Sequence, residues 1–225
     1  RKYLASAGAS PQTAGLIFAG GLVPGPGTRY TINEEWNGTS WTEVADANTA
    51  RNDTQGSGTS TAALLFGGNT PTTIDQTEKW NGTSWTEVND LNTVRASAGG
   101  VGITTASLCI GGGDPGISVE LYNGTSWTET NDMNTAKNYL CSFGSSTSAI
   151  ATAGAPYPSV SALTEKYDGT SWTELADLST ARWASFYDAG HDGTDGVITS
   201  GIAGDGTAVT EEWSEAVTAS SFTSS

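Results

Sequence analysis

Histidine and cysteine are scarce in this chain of 225 residues, and each shortage excludes a class of chemistry. His191 is the single histidine, so a multi-histidine metal centre, a copper site or a Ser-His-Asp system has too few residues to build on. Cys109 and Cys141 are too few for a disulfide framework, and both lie in apolar runs. This placement favours buried free thiols, and a bridge between them stays open. We expect no metal and no cofactor.

Positive charge and long apolar runs are also lacking. The chain carries 9 Lys and Arg against 24 Asp and Glu, a formal net charge of -15, with no basic cluster. Such a chain repels nucleic acid and anionic lipid surfaces. No apolar run reaches the roughly 18 residues of a membrane helix, and no signal-peptide pattern opens the chain. We therefore expect neither nucleic acid nor membrane insertion, and because the chain begins at Arg1, we expect a trimmed product or a piece of a longer protein.

What the sequence does contain is an internal repeat. The letters NGTSW occupy residues 37–41, 81–85 and 123–127, and DGTSW occupies 168–172. A basic residue follows TA or TV at Arg51, Arg95, Lys137 and Arg182, and Arg1 has the same phase. A glutamate stands two residues ahead of an aromatic five times, as Glu34, Glu78, Glu120, Glu165 and Glu211 before Trp36, Trp80, Tyr122, Tyr167 and Trp213. A second aromatic appears in four copies, as Trp41, Trp85, Trp127 and Trp172.

These landmarks divide the chain into five units of about 45 residues, and such a period indicates a repeat architecture. Each unit is predicted to hold four short strands; in the fourth unit these are NYLCSF, SAIATAG, ALTEKY and SWTEL. No segment has a sustained helical period. Asn-Gly between the third and fourth strands predicts a two-residue type I′ turn. Asn37, Asn81 and Asn123 also open glycosylation sequons, but Asp168 replaces them in the fourth copy, so the position needs a turn former rather than a glycan.

A four-stranded sheet of this size cannot bury both of its faces alone. Five such sheets packed radially would bury each face against the next, which is the arrangement of a β-propeller. We therefore predict an all-β chain with a single domain over residues 1–225, a five-bladed β-propeller with four antiparallel strands in each blade. The predicted blades are approximately 1–48, 49–92, 93–134, 135–178 and 179–225. Seven tryptophans are predicted to pack between blades: Trp36, Trp41, Trp80, Trp85, Trp127, Trp172 and Trp213.

The order of the landmarks resembles the kelch repeat. A glycine pair follows the second strand, an aromatic and then a tryptophan follow, and a basic residue opens the next unit. The last two units depart from this pattern, because AG and SG replace the glycine pair and the fifth unit lacks its second tryptophan. Units such as NEEWNGTSWTEVADANTAR, residues 33–51, also resemble repeats of tail-associated and other virion proteins of marine bacteriophages and of marine bacterial surface proteins. This resemblance implies a location on a virion or cell surface.

The repeated charges have two interpretations. Five basic residues could face a central region and hold a carboxylate, as the arginine cluster of sialidase-type propellers does. Alternatively each basic residue pairs with a glutamate of the same repeat, which the equal counts favour because a buried charge needs a partner. We predict structural pairs among Arg51, Arg95, Lys137, Arg182, Glu34, Glu78, Glu120, Glu165 and Glu211. No residue is assigned as catalytic, since nothing marks one carboxylate pair for glycoside hydrolysis.

The connections between the second and third strands differ in every unit and are predicted to share one face with the connections between blades. Varied loops on a repeated scaffold are typical of binding surfaces. The candidate binding residues there are Arg29, Tyr30, Tyr157 and Trp183, because aromatic and arginine side chains anchor interfaces and sugars. Asp188, Asp192 and Asp195 could gather Ca²⁺, although their spacing matches no known calcium loop and a plain turn is the simpler interpretation.

Together these patterns predict a non-enzymatic binding or structural module of a phage virion, in a tail or surface appendage, that mediates attachment or assembly. Its expected partners are other virion or surface proteins, or a host-surface receptor or glycan. The alternatives are a carbohydrate-binding lectin and a glycan-acting enzyme on the same scaffold.

Overall fold

The computed structural model describes residues 2–22, 27–154, 159–183, 194–199, 201 and 210–214, and its regular secondary structure is entirely β-strand. Within these residues, no helix has the length and apolar character that crossing a bilayer requires. The described strands form four sheets of four strands and one sheet of two. Every pairing is antiparallel, and the strand order within each sheet follows the order in the chain. The all-β, repeated four-strand prediction is confirmed.

The first two sheets cover the N-terminal half of the chain. The first sheet contains β1 (Ala5–Ser6), β2 (Gly15–Phe18), β3 (Asn33–Trp36) and β4 (Trp41–Val44). The second contains β5 (Gln55–Thr59), β6 (Ala62–Phe66), β7 (Thr77–Trp80) and β8 (Trp85–Val88).

The remaining sheets repeat this pattern. The third contains β9 (Gly99–Ile103), β10 (Ala106–Ile110), β11 (Val119–Tyr122) and β12 (Trp127–Thr130). The fourth contains β13 (Cys141–Ser145), β14 (Ser148–Thr152), β15 (Thr164–Tyr167) and β16 (Trp172–Glu174). The fifth contains β17 (Asp195–Thr199) and β18 (Thr210–Ser214). These two correspond to the second and third strands of the other sheets, and the stretches predicted as first and fourth strands lie outside the described residues.

The hydrophobic core lies between consecutive sheets. Four buried clusters each join a sheet to its successor, so each sheet is covered by its neighbour as the repeat argument requires. The first strands lie closest together, and glycine makes this approach possible. A Cβ atom on Gly56 would stand 2.7 Å from the carbonyl oxygen of Ser6, and one on Gly100 would stand 2.5 Å from that of Gly56. A larger residue at either position would push neighbouring sheets apart.

The tryptophan of the fourth strand packs against the preceding sheet. The rings of Phe18 and Trp85 lie 5.1 Å apart, and those of Phe66 and Trp127 lie 4.9 Å apart, both edge to face. Trp172 shares a buried cluster with Ile110. Trp41 differs from the prediction that all such tryptophans pack between blades, because 48% of its surface is exposed. The sheet that would precede it in a ring is the fifth, of which only two strands are described.

The other three predicted blade-packing tryptophans each contact an aromatic ring. Trp36 is half-buried and lies 5.6 Å from Trp41 of its own sheet, and Trp80 is buried 5.4 Å from Trp85. Trp213 lies 5.9 Å from Phe143 of the preceding sheet.

The NGTS turn differs from the prediction of a two-residue type I′ turn. Four residues, 37–40, join β3 to β4, and the backbone N–H of Asn37 donates to the carbonyl of Ser40 at 3.2 Å. Only the glycine has a positive φ, +91° at Gly38. The Asn37 Oδ1 atom instead accepts hydrogen bonds from the backbone N–H groups of Thr39 and Ser40 at 2.9 and 3.0 Å. Asparagine is therefore selected for its side-chain acceptor, which Asp168 also supplies.

Both cysteines are buried free thiols. Burial raises the pKa of the Cys109 thiol to about 12, so this group is neutral at physiological pH.

Candidate functional site

The repeated basic residues are buried against glutamates of the same repeat unit. Arg51 Nη2 lies 2.6 Å from Glu78 Oε1, and its Nη1 atom donates to the carbonyls of Gln76 at 2.8 Å and Gly67 at 3.2 Å. Arg95 pairs with Glu120 at 2.6 Å in the same way. Burial lowers the pKa of the Arg51 guanidinium, and the adjacent Glu78 carboxylate opposes that shift.

The last two pairs vary this arrangement. Lys137 Nζ is 3.9 Å from Glu165 Oε1 and donates to the carbonyl of Leu163 at 2.9 Å. Arg182 pairs with Glu211, whose side chain is 16% exposed. Glu34 of the first unit is half-buried, and Arg1 lies outside the described residues.

Each glutamate also holds the connection that leads into its sheet. Glu78 Oε2 accepts hydrogen bonds from the backbone N–H of Asn48 at 2.7 Å and from its side-chain amide at 2.9 Å. The equivalent donors are Asn92 to Glu120, Asn134 to Glu165 and the Ser179 backbone to Glu211. The four repeated basic residues that the structure describes are thus paired inside their own units rather than gathered into an arginine cluster.

The varied loops meet the connections between sheets on one face, which we call the loop face. The backbone N–H of Gly20, in the β2–β3 loop, donates to the carbonyl of Arg51, which follows β4. The same bond joins Gly68 to Arg95, Gly112 to Lys137 and Gly154 to Arg182. On the opposite face, the NGTS-type turns lie against the turns between first and second strands, as Gly38 lies against Thr13.

At the centre of the loop face, backbone hydrogen bonds link four residues in a row, one from each of the first four units. They are Tyr3, Asp53, Ser97 and Tyr139, and we call this row the central rim. The N–H of Asp53 donates to the carbonyl of Tyr3 at 3.1 Å, Ser97 donates to Asp53 at 2.8 Å, and Tyr139 donates to Ser97 at 2.8 Å. All four have left-handed backbone, with φ of 53°, 51°, 59° and 55°.

The rim brings together side chains from distant parts of the sequence. Burial and the nearby Asp53 and Tyr139 raise the pKa of the Tyr3 phenol, so groups from the first, second and fourth units share one electrostatic environment. Burial also raises the pKa of the Asp53 carboxyl, against the opposing effects of a 3.2 Å hydrogen bond from Asn69 Nδ2 and of the Arg29 charge. The Trp183 ring lies 5.1 Å from that of Tyr139, edge to face.

Two of the four predicted binding residues thus lie at the rim. Arg29 Nε donates to Asn52 Oδ1 at 3.2 Å, beside Asp53, and Trp183 contacts Tyr139. Tyr30 is half-buried on the β2–β3 loop, where its backbone N–H donates to the carbonyl of Gly20. Tyr157 lies outside the described residues.

Sequence reasoning missed Tyr3, Asp53 and Tyr139. The sequence did contain a signal for them. Each stands two positions after the recurring basic residue of its unit, and the residue type at that position differs from unit to unit. Comparing the changing positions around each fixed landmark would have found them.

The described residues contain no group of three or more histidine, cysteine, aspartate or glutamate side chains that could hold a metal ion. The predicted calcium candidates are not tested by this observation. Asp188 and Asp192 lie outside the described residues, and Asp195 begins β17.

Comparisons with known proteins bear on the fold. No protein-family model matches the chain, and no curated protein matches it. The solved structure described as "Structure of YjhT" is similar, with a TM-score of 0.70 and 12% sequence identity over 89% of this chain and 72% of that chain. That structure has a β-propeller-like fold. At this identity the likeness concerns architecture alone, and the chain is accordingly an all-β protein of repeated four-stranded sheets with a β-propeller-like fold.

Proposed function

We propose that this chain is a non-enzymatic binding module, a five-bladed propeller of kelch type that presents its loop face to a partner on a virion or cell surface. The observation that carries this proposal is the central rim, where side chains from separate units meet among loops that differ from unit to unit. Repeat proteins commonly build binding surfaces from a repeated backbone geometry that carries different side chains in each unit.

The five-blade arrangement is supported by the strand pattern. Each of the first four units forms a complete sheet, and β17 and β18 have the pairing of the second and third strands of such a sheet. The kelch assignment rests on the sequence landmarks and on the role of the basic residue, which binds the glutamate of its own unit.

The engagement of the repeated charges favours binding over catalysis. A sialidase-like site needs several arginines aimed at one carboxylate, and a glycoside hydrolase needs two carboxyl groups facing a substrate. Arg51, Arg95 and Arg182 are bound to glutamates, and those glutamates also hold backbone N–H groups. A lectin is the second candidate, favoured by the aromatic side chains at the rim.

Within this proposal, the module is a component of a phage tail or surface appendage that mediates attachment or assembly. Fold alone does not assign function, so localisation is the direct test. Immunogold labelling of particles and cells from a producing culture, with antibody raised against this chain, should decorate particle tails or cell surfaces. Label confined to the cell interior would contradict the proposal.

A second measurement tests which face is used. Fluorescent chain should bind to host cells or particles, and Tyr30→Ala with Trp183→Ala on the loop face should weaken binding. Thr83→Ala and Thr125→Ala, on the NGTS turns of the opposite face, serve as matched controls and should bind as the parent does. Equal loss in both sets would show that the loop face is not the binding surface.

A further inference from the structure

We propose that the central rim and Trp183 form a binding site for a neutral saccharide. This inference rests on the proposed function, because it names the ligand class for the same loop face. The site combines two phenols and an indole with one carboxylate and several side-chain amides, contributed by the first, second and fourth units and by the chain that follows β16.

The first argument concerns which residues occupy strained backbone. Left-handed φ is uncommon for residues other than glycine, asparagine and aspartate, and it is an outlier for bulky side chains. Aspartate is one of the residue types that tolerate this backbone, and serine has a small side chain, so Asp53 and Ser97 are unexceptional there. Tyr3 and Tyr139, in contrast, have large aromatic side chains at the same kind of position. The backbone hydrogen bonds of the rim do not require an aromatic side chain, so we attribute the two tyrosines to a role of their rings.

The second argument is the combination of surfaces that the residues offer. A pyranose has apolar C–H faces that stack on aromatic rings and an equator of hydroxyl groups that hydrogen bond to carboxylates and amides. Tyr139 and Trp183, at 5.1 Å, are half-buried and offer the aromatic part. Asp53, held by Asn69 at 3.2 Å, offers two carboxylate oxygens to hydroxyl donors.

A third observation is an acceptor without a donor. Asn138 Oδ1 is buried and has no hydrogen-bond partner among the described residues. Asn138 precedes Tyr139 in the chain, and its Oδ1 atom faces the β10–β11 loop, 3.0 Å from where a Cβ atom on Gly116 would stand. Buried polar atoms in native proteins are nearly always hydrogen-bonded, so an unpaired acceptor beside the loop face is a group to which a ligand hydroxyl could donate.

Charge selects the class of sugar. The chain carries a net charge of -15, and the rim adds the Asp53 carboxylate. Arg29 is the cation that acts on Asp53, and its Nε atom already donates to Asn52. A sialic or uronic acid would bring its own negative charge next to the Asp53 carboxylate, whereas a neutral sugar uses that carboxylate as a hydrogen-bond acceptor. The site therefore favours neutral hexoses and N-acetylhexosamines over acidic sugars.

The test is a binding measurement on the full chain. Saturation-transfer NMR and tryptophan fluorescence titration would use glucose, galactose, mannose and N-acetylglucosamine with their short oligomers, and N-acetylneuraminic and glucuronic acids for comparison. At least one neutral sugar should bind saturably, and Trp183→Ala and Asp53→Asn should each weaken that binding by roughly tenfold or more, an effect of the size expected for loss of one anchoring contact. Trp41→Ala removes an exposed aromatic outside the rim and is the matched control, expected to bind within about twofold of the parent. Thermal unfolding followed by circular dichroism checks that each variant is folded.

Three results would overturn the proposal: no saturable binding by any neutral sugar, preference for an acidic sugar, or equal loss in Trp41→Ala and Trp183→Ala. These are separable from failure of the proposed function. If the chain adheres to cells or particles through its loop face but free sugar neither binds nor competes, the saccharide site is refuted while the binding module stands. If sugar binds but the chain labels neither particles nor cell surfaces, the site stands and the surface role is refuted.

Discussion

Four units carry the same turn and the same following tryptophan, yet these tryptophans have two environments. Trp85, Trp127 and Trp172 are 6%, 5% and 7% exposed, whereas Trp41 is 48% exposed. Each buried ring contacts a large apolar residue at the end of the second strand of the preceding sheet. Phe18, Phe66 and Ile110 end β2, β6 and β10 and face the three buried rings.

The residues that end the second strand of the fourth and fifth sheets are small. Thr152 ends β14 and Thr199 ends β17, in the same register as Phe66. Thr152 uses its hydroxyl to bond with Thr164 at 2.7 Å, and the unit that follows it has no second tryptophan. The three interfaces among the first four sheets therefore each pair a buried tryptophan with a large apolar residue of the preceding sheet. The fourth sheet and the described part of the fifth have threonine at that position instead.

The largest expected effect distinguishes the two environments directly. Trp127→Ala should reduce the free energy of unfolding by about 5 kcal/mol, because it opens a cavity against Phe66 and leaves Thr77 without its 3.1 Å bond to the indole. Trp41→Ala should cost less than about 1 kcal/mol. Urea denaturation of both variants and the parent measures the difference. Equal losses would mean that Trp41 is buried in solution.

Removing one member of a buried charge pair should have the next largest effect. Glu120→Ala leaves Arg95 buried and unpaired and also releases the Asn92 backbone, so we expect a loss of about 4 kcal/mol. Glu211→Ala at the fifth sheet should cost clearly less, because water can reach that carboxylate and solvate Arg182 in its absence. The same denaturation assay compares them. A larger loss for Glu211→Ala would reverse the ranking of the two regions.

The single lysine among the repeated basic residues allows a gain of stability. Lys137→Arg would replace a 3.9 Å ion pair by the 2.6 Å guanidinium–carboxylate contact that Arg51 and Arg95 make, and we expect an increase in the free energy of unfolding of less than about 1 kcal/mol. Differential scanning calorimetry would detect the higher Tm. Arg95→Lys is the matched reverse change and should lower it. A lower Tm for both variants would mean that the site in the fourth unit accommodates lysine better than arginine.

The smallest expected effect concerns the rim rather than the interfaces. Burial raises the pKa of Asp53 above its ordinary value, so the unfolded chain releases this proton first as the pH rises. Stability from this group is therefore greatest in acid and is lost as pH rises from the unfolded pKa to the folded one. Asp53→Asn should raise the Tm slightly at neutral pH, within about 1 kcal/mol, and not at pH values below both pKa values. A lower Tm at neutral pH would contradict this assignment.

The sequence predicted the architecture well because the constraint is repeated. The glutamate and aromatic landmarks recur in the third strand of each sheet, and the same strand pairing recurs with them. The NGTS turn was predicted with the wrong geometry, because Asn-Gly favours a positive φ at both residues in isolation, while Asn37 instead uses its side chain to hold two backbone N–H groups. That choice depends on the four-residue connection, which pairing of Trp36 with Trp41 sets.

The candidate site was only partly predictable. Arg29 and Trp183 were chosen because they lie on the predicted loop face and because arginine and aromatic side chains anchor interfaces, and both lie at the rim. Tyr3, Asp53 and Tyr139 were missed because the position two residues after each basic landmark was not compared between units. That these residues come together depends on hydrogen bonds between sheets, which the sequence does not reveal. Thr199, in place of a large apolar residue, also gives no signal until the register of β17 is known.

The buried pairs leave an unusual balance of charge for the outside of the molecule. Four of the nine basic residues are enclosed with glutamates, so at most five remain to face solvent against about twenty carboxylates. Copies of the chain must therefore repel one another in dilute buffer, where the Debye length is long. At an ionic strength near 1 M that length shrinks to about 3 Å, so the same copies can approach one another closely without strong repulsion.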